Sequence, residues 1–323
     1  MALNKRIAAI GLAKQSAKGS LASAPTFWCG VTDGKLVTMD VSQKPDEVST
    51  GMRAGSFVTR DSVALAGDFT IRAWPGIIGL LLYGIMGTKS VSGSSTYTHI
   101  FTLGDSVPYF TLWAQMFGGG YRQLGDAKID ELKIGWADAG PLDVNVTMAG
   151  LSVAYPSAPT PGTDETRAAY FVAAGGTRQI DLDGATLATI ATSGGEVALK
   201  QNLSPAETDI SVVAYDVDEG NFESNIQLKG IPADLSWARN ITTGGPTGTT
   251  ISEIPVTGSA TVSFPCGSNS LTLAGTNIPF TADEDGYDAK GGRPTVKLTG
   301  DMLIPEAGTT PVTATLVNSV ASY

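Results

Sequence analysis

Lys128-Ile129-Asp130-Glu131-Leu132-Lys133-Ile134 and Leu142-Asp143-Val144-Asn145-Val146-Thr147-Met148 flank a segment containing Gly135, Asp138, Gly140 and Pro141. In both stretches apolar and polar residues alternate or nearly so. That is the period of a strand with one face in a core and the other in water, and the Gly, Asp and Pro between them supply turn chemistry. The same texture appears upstream in Lys35-Leu36-Val37-Thr38-Met39-Asp40-Val41 and Phe69-Thr70-Ile71-Arg72. It returns in Glu196-Val197-Ala198-Leu199-Lys200, Thr261-Val262-Ser263-Phe264 and Thr295-Val296-Lys297-Leu298-Thr299. The chain is expected to be mainly β, built of half-buried antiparallel strands.

One segment breaks the alternation. Pro75-Gly76-Ile77-Ile78-Gly79-Leu80-Leu81-Leu82-Tyr83-Gly84-Ile85-Met86-Gly87 starts on a proline suited to a first helical turn and ends on a glycine suited to a C-cap. A short helix is expected there. Being apolar all round, it should be buried on more than one side, against the sheet and either the chain's own core or a neighbouring subunit.

Composition bounds the rest. The 323 residues are 42% hydrophobic and 16% charged, with 39 Gly and 17 Pro and a mean hydropathy of +0.08. Such a chain can bury a sizeable core, as about two domains or one large β domain. Lys+Arg 21 against Asp+Glu 31 gives a net charge of −10, which argues against a protein that coats nucleic acid by neutralising phosphates. Residues 1–159 carry 13 basic and 12 acidic residues, net +1, whereas residues 160–323 carry 8 and 19, net −11.

Two cysteines, Cys29 and Cys266, allow at most one internal disulfide, so a reducing compartment is expected. The amino-terminal apolar stretch Ile7–Ala13 is short and is closed by Lys14 and Gln15, unlike a cleaved signal. The longest apolar run, Ile77–Met86, has half the roughly 20 residues of a membrane span. No export and no membrane span are expected.

The only histidine is His99, in Tyr97-Thr98-His99-Ile100-Phe101, where alternation places Tyr97, His99 and Phe101 on one face of a strand. A packed strand histidine is the expected reading, because zinc sites and Ser/His/Asp relays both need further partners. No phosphate-binding glycine loop is present, since Gly118-Gly119-Gly120 lacks the spacing and the lysine. No catalytic residue, cofactor or metal ligand is assigned, and no enzymatic activity is expected. Two acidic runs, Asp283-Glu284-Asp285-Gly286-Tyr287-Asp288 and Asp216-Val217-Asp218-Glu219-Gly220, read as exposed acidic turns. The first fails the EF-hand pattern, because its twelfth position is Pro294; a weak calcium or magnesium site is the minor reading.

Tyr155-Pro156-Ser157-Ala158-Pro159-Thr160-Pro161-Gly162-Thr163-Asp164 reads as a linker, and it coincides with the step in charge. It divides the chain into a module with an N-terminal arm at 1–158 and a second module at 159–323, the alternative for the latter being a decorating C-terminal β domain. A faint repeat aligns Val63–Ile71 with Ile254–Val262 and favours tandem duplication. Met52–Ser62 and Trp237–Ser252 are polar and lack strong apolar periodicity; they read as long loops that reach a neighbouring subunit, the alternative being mobile surface loops.

With these elements in place, the chain resembles the major tail tube proteins of long-tailed bacteriophages with non-contractile tails. The resemblance lies in Ile10–Ser20, in Val63–Arg72 passing into Trp74-Pro75-Gly76-Ile77-Ile78-Gly79-Leu80-Leu81, and in Tyr97–Thr102, Ala198–Leu203 and Val256–Val262. It implies antiparallel β-sandwich or barrel tube modules, each with one short flanking helix, whose sheets join between subunits around a channel. It also implies a virion protein of the tail, assembled in the host cytoplasm, whose first partner is itself. A trimer with pseudo-sixfold symmetry is favoured and a hexamer is the alternative. The further partners implied are the tail terminator, tape measure and distal tail proteins. DNA is a transient passenger during genome ejection, for which an acidic bore suits a like-charged cargo. The alternative function class is a cell-surface or matrix β-protein, such as an adhesin or S-layer unit.

Overall fold

The computed structural model describes residues 8–45, 58–116, 119–182, 185–187, 191–231, 236–245, 247–285, 295–304 and 310–323. The first half contributes β1 (Ala9–Lys14), β2 (Phe27–Gly30), β3 (Asp33–Pro45), β4 (Val58–Arg72), α1 (Ile77–Met86), β5 (Gly87–Gly93), β6 (Tyr97–Leu103), β7 (Phe110–Gln115), β8 (Tyr121–Ala137), β9 (Asp143–Gly150) and β10 (Ser152–Ala154). After β11 (Thr163–Asp164) come β12 (Arg178–Leu182), β13 (Ala185–Leu187), β14 (Ala191–Lys200), β15 (Ser204–Thr208), β16 (Ser211–Asp218), β17 (Glu223–Ile231), α2 (Ser236–Thr243), β18 (Thr257–Cys266), β19 (Asn269–Asp285), β20 (Thr295–Asp301) and β21 (Val312–Asn318). The fold is mainly β and overwhelmingly antiparallel.

The pairings repeat. In the first half β1 pairs with β2 and β7, β7 with β8, β8 with β9 and β10, and β4 with β3 and β9. In the second half β12 pairs with β13 and β18, β18 with β19, β19 with β20 and β21, and β17 with β14 and β20. The helices keep the same place: α1 starts five residues after β4 ends and α2 five residues after β17 ends. Each half is thus the same two-layer unit, in which one long strand, β8 or β19, serves both layers. The turn from one layer to the other falls at a bulge with a left-handed residue, Asp126 (φ 49°) in β8 and Asn277 (φ 52°) in β19.

This pairing corrects the alignment expected from sequence. Val63–Ile71 lies in β4, whose counterpart is β17; Ile254–Val262 runs into β18, the counterpart of β7. Period-2 alternation makes any two strands look alike and carries no register.

The halves share one sheet and one core. β3-β4-β9-β8-β14-β17-β20-β19 form an eight-stranded antiparallel sheet that runs through both units. A second sheet, β13-β12-β18-β19-β21-β6-β5, takes the β5–β6 hairpin of the first unit onto β21 of the second. The expected boundary at 158/159 falls between β10 and β11, and the segment taken as linker contributes β11, which pairs in parallel with β2. A single apolar cluster runs from Ile10 to Leu316.

Helix α1 has the ends expected of it. Gly87 (φ 82°) closes it with its N–H bonded to the Tyr83 carbonyl, and all of Ile77–Met86 except Tyr83 is buried. Its cover comes from the same chain: Tyr323 lies over Gly79, where any Cβ would strike the tyrosine ring, and Gly84 packs on Phe110 and Ile129. No neighbouring subunit is needed to bury it. Of the N-terminal arm expected at Ile7–Lys18, Ala9–Lys14 are strand β1, and all of them but Lys14 are buried in the core. β1 sits between β2 and β7 with Ile10 and Leu12 at zero exposure.

Candidate assembly interface

The seam between units is built by β8 and β14, antiparallel with Leu132 opposite Leu199, Ile134 opposite Val197 and Glu131 opposite Lys200. The four apolar side chains are buried, and the polar neighbours alternate onto the other face. Trp136 backs the seam, packed edge-on against Phe264 at 4.9 Å, with the Arg178 guanidinium stacked over both rings. Gly195 is required there, because a Cβ would meet the Trp136 ring and the Gln227 carbonyl. An open cleft of about 470 Å³ at the end of the seam is lined by Asp138, Arg178, Thr192 and Ser193 among others.

Side chains from one unit finish the other. Lys128 is buried in the first unit and its Nζ donates to the Val217 carbonyl and, at 2.8 Å, to Glu219. Lys18 pairs with Asp216 at 2.8 Å, and the Tyr109 hydroxyl donates to the same carboxylate. Burial alone would raise the Asp216 carboxyl, but hydrogen bonds from Lys18, Tyr109 and the Val217 amide more than offset it and hold it down to about 2. The Asp216–Gly220 run, expected as a free acidic tip, is instead the base of the β15–β16 hairpin, docked on cations and a tyrosine of the first unit. The carboxylate of Glu165 accepts from the N–H groups of Gly76 and Ile77, both at 2.8 Å, and caps α1 from outside. Gln201 donates to the Ile85 carbonyl at the other end of that helix.

The outer face of the eight-stranded sheet is polar across both units and carries both signs. Lys133 pairs with Glu131, Arg72 with Asp143, and Lys229, Lys297 and Asp301 are exposed on the second half. The second half's excess acid is not concentrated on this face, because several of its carboxylates, Asp216, Glu219 and Glu165, are spent on the β15–β16 hairpin and on the α1 cap. Trp237–Ser252, expected as a loop, begins with α2, in the position α1 occupies in the first unit. Of Met52–Ser62, residues 58–62 belong to β4 and the remainder lies outside the described residues. Of the candidate cation turn, Asp283–Asp285 end β19, and 286–288 lie outside the described residues.

Among the described residues no group of three or more His, Cys, Asp and Glu could hold a metal ion, and no helix is long and apolar enough to cross a membrane. Cys29 and Cys266 are free, buried and raised by burial. His99 is fully buried in β6, as its place on the strand predicts, with Nε2 2.7 Å from the Val320 carbonyl and its ring 4.8 Å from that of Tyr323. No family model and no curated protein matches the chain.

Proposed function

We propose that this chain is a structural protein that joins copies of itself head to tail into rings, which stack as the tail tube of a long-tailed bacteriophage and conduct its DNA. The observation that carries the reading is the repeat itself. Two copies of one unit are already joined edge to edge, through β8 and β14, and the same kinds of edge, β3 and the end of β19, stand free at the two ends of the shared sheet among the described pairings. A head-to-tail contact that repeats by rotation generates a ring. Ring closure would also consume edges that are an aggregation hazard in a lone chain.

Size supports a channel. Three chains of eight strands make twenty-four. At a strand spacing of about 4.8 Å and a tilt of about 40°, such a barrel has a backbone diameter of about 45–50 Å. Barrels of 16–18 strands already enclose an aqueous channel. The mixed-sign outer face of the sheet suits a lining that neither grips nor strongly repels a sliding polyanion.

Electron microscopy of the purified full-length protein tests this. Stacked rings with threefold symmetry and pseudo-sixfold features are the expected result. Monomers under every assembly condition, or flat two-dimensional lattices of the kind a surface-layer unit forms, would overturn it.

A further inference from the structure

The repeat identifies the surface through which one copy meets the next, residue by residue. Following the pairings from the bulge residues Asp126 and Asn277, Ile129 matches Phe280, and one further bulge in β8 then brings Leu132 level with Ala282. Across the sheet Val146 matches Leu298, Phe69 matches Leu228, Val37 matches Val197 and Met39 matches Leu199. Leu132 and Leu199 are the pair that face each other in the seam within the chain.

We propose that the end of β19 in one copy adds as an antiparallel strand to the free edge of β3 in a second copy, with Ala282 opposite Met39 and Thr281 opposite Asp40. This seam rests on the head-to-tail reading above and assigns its register. A second, independent observation supports it. Met39 is 46% exposed on a free edge, whereas Leu199 at the matching position is fully buried by β8. The apolar side chain stands where the incoming strand would cover it. Among the described residues no pairing joins the two edges within one chain: β3 pairs with β4 alone, and the end of β19 pairs with β20. The occupant is therefore a second copy.

Paired cysteines read the register directly. In the full chain, Met39→Cys with Ala282→Cys should form an intermolecular disulfide on mild oxidation of assembled protein, giving chain-to-chain ladders on a non-reducing gel. Asp40→Cys with Ala282→Cys serves as the comparison, since a one-residue step moves the side chain to the opposite face of the sheet. At least a tenfold excess of cross-linked chains for the first pair is expected, and neither single variant should ladder. Rings that assemble but link equally well, or not at all, in the two pairs would overturn this seam and leave the ring reading standing. Protein that stays monomeric in microscopy, for the parent chain as for the variants, would overturn both.

Discussion

Asp126 and Asn277 are the same position of the repeated unit: each is a left-handed residue, φ 49° and 52°, at the bulge where a seventeen-residue strand passes from one layer of its sandwich to the other. Asp and Asn tolerate that conformation better than most side chains do, and a β-branched residue tolerates it poorly. Asn277→Gly should leave stability within about 0.5 kcal/mol, whereas Asn277→Val should cost about 1–2 kcal/mol. Asp126→Val should cost more than Asn277→Val, because the Asp126 carboxylate accepts from the Gly19 N–H at 2.6 Å, a stronger bond than the one the Asn277 amide donates to the Ile304 carbonyl at 3.4 Å. Urea unfolding of the three variants checks the order.

Acid should loosen the dock between the β15–β16 hairpin and the first unit. The Asp216 carboxyl is held down to about 2, below the ordinary value of 3.8, so its contribution is fully present above the unfolded value and is lost as pH falls through the folded one. The loss is about 2 kcal/mol and falls between roughly pH 5 and pH 2. Asp216→Asn should flatten that part of a plot of stability against pH. Glu219→Ala, which leaves the buried Lys128 ammonium with only the Val217 carbonyl and the Tyr109 ring, should cost about 2–3 kcal/mol at neutral pH.

His99 titrates in a separate window. Burial lowers its folded value below the ordinary 6.5, so the unfolded chain takes up a proton that the native chain resists. Its sign is therefore stability present above pH 6.5 and declining below it. His99→Phe keeps a ring edge-on to Tyr323 and removes the proton; it should lower stability at pH 7.5, through the lost bond to Val320, and abolish the decline below pH 6.5. An equally steep decline in the variant would assign the effect to other groups.

The Glu165 cap is expected to hold α1 in place rather than merely decorate it. Glu165→Ala strips the acceptors from two buried N–H groups and should cost about 2–3 kcal/mol, while Glu165→Gln, which keeps one acceptor, should cost about half as much. Burial raises the Glu165 carboxyl, so replacing it should weaken the chain less at high pH than at low pH, opposite in sign to Asp216. Thermal unfolding at pH 5 and pH 8.5 separates the two.

Local periodicity settles local matters. The alternation of Leu142–Met148 and Lys128–Ile134, and the Pro75 and Gly87 that bracket α1, are determined within a few residues by backbone and side-chain geometry. They stand in the structure as their sequence dictates. His99 as a packed strand residue was legible for the same reason. Which strand lies beside which is a different kind of fact, decided by long-range pairing that alternation does not encode. Hence Val63–Ile71 finds its counterpart in β17 rather than at Ile254–Val262, the residues expected to form an arm become the buried strand β1, and the polar start of Trp237–Ser252 becomes helix α2 because it occupies the place of α1. The charge census counted the second half's excess acid correctly but could not see that Asp216, Glu219 and Glu165 turn toward the first unit. Composition and alternation by themselves determined a large, lightly charged, mainly β protein with an excess of acid in its second half. Only the tertiary structure revealed that the two halves are one unit used twice in one sheet, because that depends on hydrogen bonds between strands far apart in the chain, such as Glu131 with Lys200, which local alternation does not encode.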